Sequence, residues 1–170
     1  KTDEGAALRD QMNEYLAKIR ENGELEAMHE KWASFKDNEG EKLTLPTGEK
    51  TLVFATCGDT YPYSAVINGE TTGYDVEMAV NFCREYGYGI KIEINALTGI
   101  MSGMVSGMYD FAGNVITVTP ERSESVYFSE PNSNPAVVLI VKDTTGAAPE
   151  QTVETRESIA ARPIARTPAA

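Results

Sequence analysis

The residues whose types and spacing best suit chemistry lie between positions 117 and 122 of this sequence. Thr119 followed by Pro120 predicts a helix start, because threonine caps free backbone amides and proline is tolerated at the first helical position. A helix start attracts anions, and the planar guanidinium of Arg122 matches a carboxylate bidentately. Together with the Thr117 hydroxyl, these groups predict a carboxylate-binding site. The spacing equally allows Arg122 to pair only with a neighbouring surface carboxylate.

Two aromatic residues and two carboxylates are further candidates. Tyr61 and Tyr63 flank a proline after a predicted strand and could offer a ligand an apolar face with a polar edge, although ordinary loop packing is the alternative. Asp59 and Asp75 are expected to be exposed near the site, and Asp75 also suits a helix start. No carboxylate pair has a spacing typical of acid–base catalysis, so we expect no enzyme.

Metal and thiol chemistry have little support in the sequence. Cys57 and Cys83 are far apart and His29 is the only histidine. A usual zinc site needs about four nitrogen or sulfur ligands, so we predict no metal and no cofactor. Two small buried thiols are the favoured interpretation of the cysteines, and a disulfide between them is the alternative.

The charge balance excludes two classes of partner. The chain has 170 residues, with Lys+Arg 15 against Asp+Glu 26 and a net charge of −11. Nucleic-acid binding and polybasic membrane binding both depend on clustered Lys and Arg, so we expect neither. No apolar run approaches the roughly 18–20 residues that span a bilayer. We expect an acidic globular piece of a longer protein.

Composition divides the chain into three predicted parts. Residues 1–42 are charge-rich, and their apolar residues recur every three or four positions, which predicts a helix pair broken at Gly23. Residues 43–142 hold most of the β-branched and aromatic residues and predict an α/β lobe. Residues 143–170 are rich in Ala, Thr and Pro and predict a tail or linker. The apolar stripe of the pair consists of Leu8, Met12, Tyr15, Leu16 and Ile19, then Leu25, Met28, Trp32 and Phe35.

Strand and helix patterns alternate in the middle part. Strands are predicted at 51–56, at Ile90, Ile92 and Ile94, at 110–113 and at 136–141, with helices at 74–86, 98–106 and 119–126. Gly58 to Pro62 should break the chain, and Asn68-Gly69 predicts a hairpin turn. Thr98 is expected to cap its helix, and Met101, Met104 and Met108 are expected in the core. The rhythm predicts a mostly parallel sheet flanked by helices, with ligands at the carboxyl ends of its strands.

Several short blocks resemble a known family, the extracytoplasmic solute-binding proteins for polar amino acids of ABC transporters. The resemblance covers about residues 50–142 and rests on the blocks taken together. The blocks are Tyr61-Pro62-Tyr63, Gly73-Tyr74-Asp75-Val76-Glu77, Gly99-Ile100, Ser106-Gly107-Met108-Tyr109-Asp110, Thr117-Val118-Thr119-Pro120-Glu121-Arg122 and Val126-Tyr127-Phe128-Ser129-Glu130-Pro131.

The resemblance implies roles for individual residues. Arg122 would bind the α-carboxylate of the ligand, and Thr117 would help hold its carboxylate and amine. Backbone groups around Asn114 and Val115, which replace the small residues usual there, would add hydrogen bonds. Tyr61 would pack on the ligand, with Tyr63 and Asp59 nearby. Leu97 stands where the family often has an aromatic residue.

The resemblance also implies an architecture and a setting. The family's fold is a two-lobed clamp, and the quoted blocks all resemble its first lobe. Residues 6–35 resemble the closing helices of the same family, here placed before the lobe, so the chain either joins two tandem copies or is permuted. Nothing in residues 143–170 resembles the second lobe, so we expect weak or absent amino-acid binding by the chain alone. An amino-acid ligand, a membrane permease, an extracytoplasmic membrane-tethered location and a homodimer or element swap are the associated expectations.

Two other functions are compatible with the same fold. The lobe also serves as the extracellular sensory domain of receptor kinases or cyclases, which the gene sequence after residue 170 would distinguish. A dehydratase or lyase is the third alternative, and the missing acid–base pair counts against it.

Overall fold

The structure, a computed structural model, describes residues 1–33 and 41–133, in which five helices and six strands form. The helices are α1 (Asp3–Glu21), α2 (Glu24–Ala33), α3 (Tyr74–Glu85), α4 (Leu97–Ser106) and α5 (Pro120–Ser125); the strands are β1 (Thr51–Thr56), β2 (Asp59–Thr60), β3 (Ser64–Ile67), β4 (Glu70–Thr72), β5 (Gly89–Ile94) and β6 (Phe111–Ala112). None of these helices is long and apolar enough to cross a membrane.

Three parallel strands form the main sheet in the order β5-β1-β6. Thr51 to Thr56 pair with Gly89 to Ile94, and Phe54 pairs with Phe111 on the other side. The connection from β1 to β5 contains the three strands of a small second sheet followed by α3, and α4 connects β5 to β6. Parallel strands need such crossovers, so the predicted α/β class with a mostly parallel sheet flanked by helices is confirmed.

A second, antiparallel sheet follows the order β2-β3-β4. Asn68 and Gly69 both have positive φ, 54° and 81°, as the predicted two-residue hairpin turn requires. The expected break from Gly58 to Pro62 is corrected: this segment contains β2, whose Asp59 and Thr60 pair with Ala65 and Ser64. Short strands of this kind escape sequence patterns because their pairing partner, not their own residues, decides their conformation.

The N-terminal helix pair forms as the apolar spacing predicts. Thr2 caps α1 by accepting a hydrogen bond from the Gly5 amide at 3.1 Å, and Gly23 adopts a φ of +83° between the helices. Its buried residues lie in the same apolar cluster as α3 and β1; on the pair they are Tyr15, Leu16, Ile19, Met28 and Trp32. Phe35 of the predicted stripe lies outside the described residues.

Alternating side chains of β1 give the sheet two different faces. Leu52 and Phe54 point into the large cluster that α1, α2 and α3 cover, which we call the covered face. Val53, Ala55 and Cys57 point to the other side and pack against α4 through Ile100 and Met104. We call that side the open face. Period-two alternation of side chains produces this division.

Helix α4 ends at Ser106 as predicted, but its start and the burial of its methionines differ from the prediction. It begins at Leu97 after an Ala96 N-cap without a side-chain bond, so the expected Thr98 cap is wrong. The Asn95 side chain accepts a hydrogen bond from the Ala96 amide at 2.9 Å and occupies the place of a cap. Of the predicted core methionines, Met104 is partly buried, whereas Met108 lies beyond the helix and is 66% exposed.

Four smaller expectations have mixed outcomes. Ile94, expected on the buried side of β5, is 47% exposed because the strand ends there. Helix α5 ends at Ser125, one residue earlier than expected. Both cysteines are free thiols, with Cys83 buried and Cys57 only partly so. The predicted strand at 136–141 and the tail at 143–170 lie outside the described residues.

Candidate functional site

The loops that follow β1 and β6 leave the sheet at the carboxyl end of its strands. The Gly113 amide donates to the Ala55 carbonyl at 3.1 Å, and the Asn95 amide donates to Thr56 at 3.0 Å. The segment 113–119, which we call the anchor loop, then runs from β6 to α5. In open parallel sheets, ligands bind beside such loops.

Arg122 lies in the first turn of α5, where the sequence predicts it. Thr119 caps this helix, since its hydroxyl accepts a hydrogen bond from the Arg122 amide at 3.3 Å. The Arg122 guanidinium donates through Nη1 to the Thr117 carbonyl at 2.8 Å, which fixes it over the anchor loop. Most of its five N–H donors stay available to an acceptor such as a carboxylate.

The alternative surface pairing of Arg122 is absent from the described part of the chain. No carboxylate among residues 1–33 and 41–133 lies within 4 Å of its guanidinium, although six other cation–carboxylate pairs meet that limit. Glu121 forms hydrogen bonds with its own backbone amide and the Thr119 side chain, and these, with a smaller contribution from the charge of Arg122, lower the pKa of its carboxyl. Arg122 is therefore a half-buried cation that its own neighbours leave available.

A shallow groove of about 500 Å³ separates α4 from α5. Arg122 and Glu121 line one side, and Met101 and Val105 line the other. Serines complete its walls, so the groove combines an apolar side with a polar one. Its position beside the Arg122 guanidinium gives room for a small polar molecule.

Val115 holds the anchor loop in a strained conformation. Its φ is +53°, a value that β-branched residues rarely adopt because the side chain crowds the backbone. Strain of this kind costs on the order of 1–3 kcal/mol and persists where surrounding contacts enforce it. In this conformation the Val115 amide donates a hydrogen bond to Asp75 Oδ2 at 3.1 Å.

Asp75 is buried, which corrects the expectation that it is exposed. Only 6% of the residue is accessible. Burial raises the pKa of its carboxyl to about 6, against the opposing effects of hydrogen bonds from Val115 and Asn132 and of the nearby His29. At neutral pH the group is still mostly an anion, so the molecule keeps a buried charge beneath the anchor loop.

Asn114 links the anchor loop to the small sheet. Its Nδ2 donates to Thr60 Oγ1 at 3.2 Å, and the Thr60 hydroxyl donates to Asp59 Oδ1 at 3.0 Å. Asn114 Oδ1 is buried without a hydrogen-bond partner among the residues that the structure describes. An acceptor left unpaired in this way is costly, and such groups cluster at sites where a ligand supplies the donor.

The remaining candidates are distributed unevenly around this edge. Tyr63 turns into the covered face, with its ring 6.0 Å from that of Tyr74, and burial raises the pKa of its hydroxyl. Tyr61 is half-buried and precedes Pro62 through a cis peptide bond. Leu97 is half-buried at the start of α4, and Thr117 is exposed on the anchor loop.

Sequence reasoning missed two residues of this region, Thr60 and Asn132. Asn132 Nδ2 lies 3.5 Å from Asp75 Oδ1, and its carbonyl accepts from Tyr74 Oη at 2.6 Å and His29 Nε2 at 3.0 Å. Thr60 contacts Asn114 and Asn132 contacts Asp75, each more than 50 positions away, so no local pattern marks them. These hydrogen bonds orient the side chains of Asn114 and Asp75. In the described ranges, no three His, Cys, Asp or Glu side chains cluster as a metal site would require.

These features define an α/β layer whose polar loops converge at one edge of a parallel sheet. Residues 52–161 match the model of the bacterial extracellular solute-binding proteins, family 3. The match covers more than half of the chain, so this protein belongs to that family.

Individual relatives are similar over part of their length. The probable amino-acid-binding protein YxeM of Bacillus subtilis (strain 168) is 27% identical over 94 residues, 55% of this chain and 36% of the relative. ABC transporter arginine-binding protein 1 of Escherichia coli (strain K12) is 32% identical over 88 residues, 50% of this chain and 36% of the relative. An arginine-specific periplasmic binding protein of Salmonella typhimurium shares 26% identity over 48% of this chain and 37% of its own, with a TM-score of 0.45. This chain thus spans little more than a third of the length of these relatives.

Proposed function

We propose that this chain is the first lobe of an amino-acid-binding protein that delivers its ligand to a membrane permease outside the cytoplasm. Arg122 binds the α-carboxylate, and Thr117 with the backbone of Asn114 and Val115 completes the polar anchor. The observation that carries the proposal is the Arg122 guanidinium, held over the anchor loop by the Thr117 carbonyl at 2.8 Å. Membership in an extracellular solute-binding family supports the general function.

Holding a carboxylate away from water costs free energy. Such a group loses its hydration and needs charge-assisted hydrogen bonds in return, which a guanidinium supplies bidentately. The charge on Arg122 is not neutralised by an ion pair among the described residues, so it favours the approach of an anion. The unpaired Asn114 Oδ1 is an acceptor and therefore suits a donor, such as the ammonium group that accompanies an α-carboxylate.

L-arginine is the first ligand to test. One curated relative of this chain is an arginine-binding protein, and another is a probable amino-acid-binding protein. A net charge of −11 on the chain favours the approach of a cationic amino acid. In this proposal Tyr61 and Leu97 pack on the ligand, Asp59 supports the site from the small sheet, and Tyr63 supports it from the turn before β3.

The chain alone should bind weakly, because a two-lobed clamp draws much of its affinity from the contacts made on closure. We expect a dissociation constant on the order of millimolar for the 170 residues, which corresponds to about 4 kcal/mol. Micromolar affinity would contradict this part of the proposal and would mean that one lobe suffices.

The test is an NMR titration of the ¹⁵N-labelled chain with L-arginine, which detects weak binding. Amide signals of the anchor loop should shift, and Arg122→Ala should abolish those shifts. Arg9→Ala is the matched control, because Arg9 is an arginine of α1 that pairs with its neighbour Asp10. Equal shifts in wild type and Arg122→Ala would show that Arg122 does not bind the ligand. The absence of shifts in every variant would refute arginine binding.

A further inference from the structure

The buried carboxylate of Asp75 joins three parts of the fold. It sits at the second position of α3, accepts from Val115 on the anchor loop at 3.1 Å, and lies 3.5 Å from Asn132 Nδ2. The Asn132 carbonyl in turn accepts from His29 of α2 and from Tyr74. One carboxylate therefore connects the helix pair to the proposed site.

Stability alone does not account for a carboxylate at this place. A charged group that is 6% exposed loses its hydration, and no cation among the described residues forms an ion pair with it. Its hydrogen-bond donor Val115 has an unfavourable φ of +53°, so a buried charge and a strained backbone occur at the same contact. Costs of this kind are typical of groups that position a functional site.

We propose that Asp75 is a positioning residue, whose ionised carboxylate fixes the anchor loop in the conformation that presents Asn114, Val115 and Thr117 to the ligand. This inference rests on the proposed function and goes beyond it, because Asp75 is buried beneath the loop and acts through Val115. Close packing supports the role: a Cβ added at Gly113 would lie 3.2 Å from the Asp75 Cβ.

Protonation of Asp75 would weaken this arrangement. Both carboxylate oxygens face N–H donors, one on Val115 and one on Asn132. Protonation removes the negative charge and makes the oxygen that gains the proton a poorer acceptor, so the hydrogen bond to that oxygen would be weakened. The raised pKa of about 6 brings this change into an accessible pH range.

Other titratable groups surround Asp75 and must be separated from it. They are His29 on α2, Tyr63 before β3 and Tyr74 on α3, and Arg20 of α1 acts on Tyr74. Burial raises the pKa of both tyrosine hydroxyls, away from the acid range. A His29→Gln variant removes the imidazole that acts on Asp75, so that a change at Val115 in this variant can be assigned to the carboxyl.

The first measurement needs no ligand. The Val115 amide signal of the wild-type chain should titrate with a midpoint near pH 6, as its hydrogen-bond acceptor gains a proton. The titration should persist in His29→Gln and vanish in Asp75→Asn. A Val115 signal that stays constant from about pH 5 to 8, or a titration lost only in His29→Gln, would overturn the proposal.

The second measurement follows binding. Asp75→Asn has the shape of the protonated acid, so it should weaken L-arginine binding by about tenfold at about pH 7.5, as expected for the loss of one hydrogen bond to a charged group. Wild-type affinity should fall by a similar factor as the pH drops through about 6. Glu77→Gln is the control, because it removes a carboxylate of the same helix that faces Lys31 instead of the anchor loop.

These readouts separate the two proposals. If L-arginine shifts no signal in the wild-type chain, the proposed function fails, whereas the Val115 titration still reports whether Asp75 holds the loop. If Arg122→Ala abolishes binding but Asp75→Asn binds like wild type at every pH, the site stands and the positioning role of Asp75 is refuted.

Discussion

The two faces of the main sheet differ in how completely they are packed. On the covered face, α1, α2 and α3 enclose a cluster in which Phe54, Phe82 and Tyr74 are at most 2% exposed. On the open face, Ile100 of α4 and Tyr109, which follows the helix, pack against the sheet, while Val105 and Met108 stay 58% and 66% exposed. The proposed site lies at the edge of the sheet, where its loops carry a strained valine and the unpaired amide oxygen of Asn114.

This contrast separates two tasks within one layer. The covered face buries apolar area, which is the main favourable term in folding. The site edge instead keeps a buried carboxylate, a valine at positive φ and an orphaned amide oxygen. Stability from one face can offset such costs at the edge, which is how strained groups persist at functional sites.

Phe82→Ala on the covered face should have the largest effect on stability. Phe82 is fully buried, with its ring 5.8 Å from Tyr15, 5.1 Å from Tyr86 and 5.9 Å from Phe111. Removing such a ring costs about 3–5 kcal/mol, a large fraction of the stability of a small domain. Urea unfolding followed by circular dichroism measures the loss.

Matched substitutions on the open face test the contrast between the faces. Met104→Ala, at a half-buried residue of α4, should cost about 1–2 kcal/mol, and Met108→Ala less than about 0.5 kcal/mol. If Met104→Ala destabilised the chain as much as Phe82→Ala, the open face would be as well packed as the covered one and the comparison would fail.

The elements of the covered face could be predicted because local spacing encodes them. Leu16 and Ile19 follow the helical period, and Phe54 sits in an apolar strand run, so burial and pattern agree. Thr119 and Pro120 similarly predicted the start of α5, since a cap is a property of adjacent residues.

The surroundings of Asp75 could not be predicted in this way. An aspartate in the first helical turn ordinarily faces solvent, and its burial depends on Val115 and Asn132, which are 40 and 57 positions away. Met108 was misplaced for a related reason, because the helical period was extended past Gly107, where a φ of +76° ends α4. The burial of Asp75 depends on contacts between distant segments, and the exposure of Met108 depends on the turn at Gly107.

Gly103→Ala should give an intermediate effect on the open face. A Cβ on Gly103 would lie 2.2 Å from Tyr109 Cε2, so the aromatic ring that closes this side of the sheet would have to move. Overpacking of this kind costs about 1–3 kcal/mol and outweighs the better helix propensity of alanine. Thermal unfolding measures the change.

Gly5→Ala in α1 is the matched control for that substitution. A Cβ there meets Thr2 Oγ1 at 3.4 Å and Tyr127 Cδ2 at 3.7 Å, which is ordinary contact. Helix propensity should then dominate and stabilise the chain by about 0.5–1 kcal/mol. If Gly103→Ala also increased the free energy of unfolding, helix propensity and not close packing would determine the effect of substitutions in α4.

Val115→Gly should have a small effect, opposite in sign to the losses expected from the Phe82, Met104 and Gly103 substitutions. Glycine adopts a φ of +53° without steric cost, so the strain at this position is released, and part of the gain is lost to the greater freedom of glycine when unfolded. A net increase of about 1 kcal/mol in the free energy of unfolding is expected. Urea unfolding at neutral pH is the measurement.

Asn68→Gly is the control for this prediction, because Asn68 has a similar φ at a position outside the proposed site. Asn68 has a φ of +54° in the hairpin turn, and asparagine tolerates that region, so the substitution should change stability by less than about 0.5 kcal/mol. Val115→Gly should instead gain stability while L-arginine binding weakens, because a relaxed loop must be ordered again when the ligand binds. A variant that became more stable and bound equally well would show that the strain at Val115 serves no function, and the site edge would then lose its clearest example of stability given up for recognition.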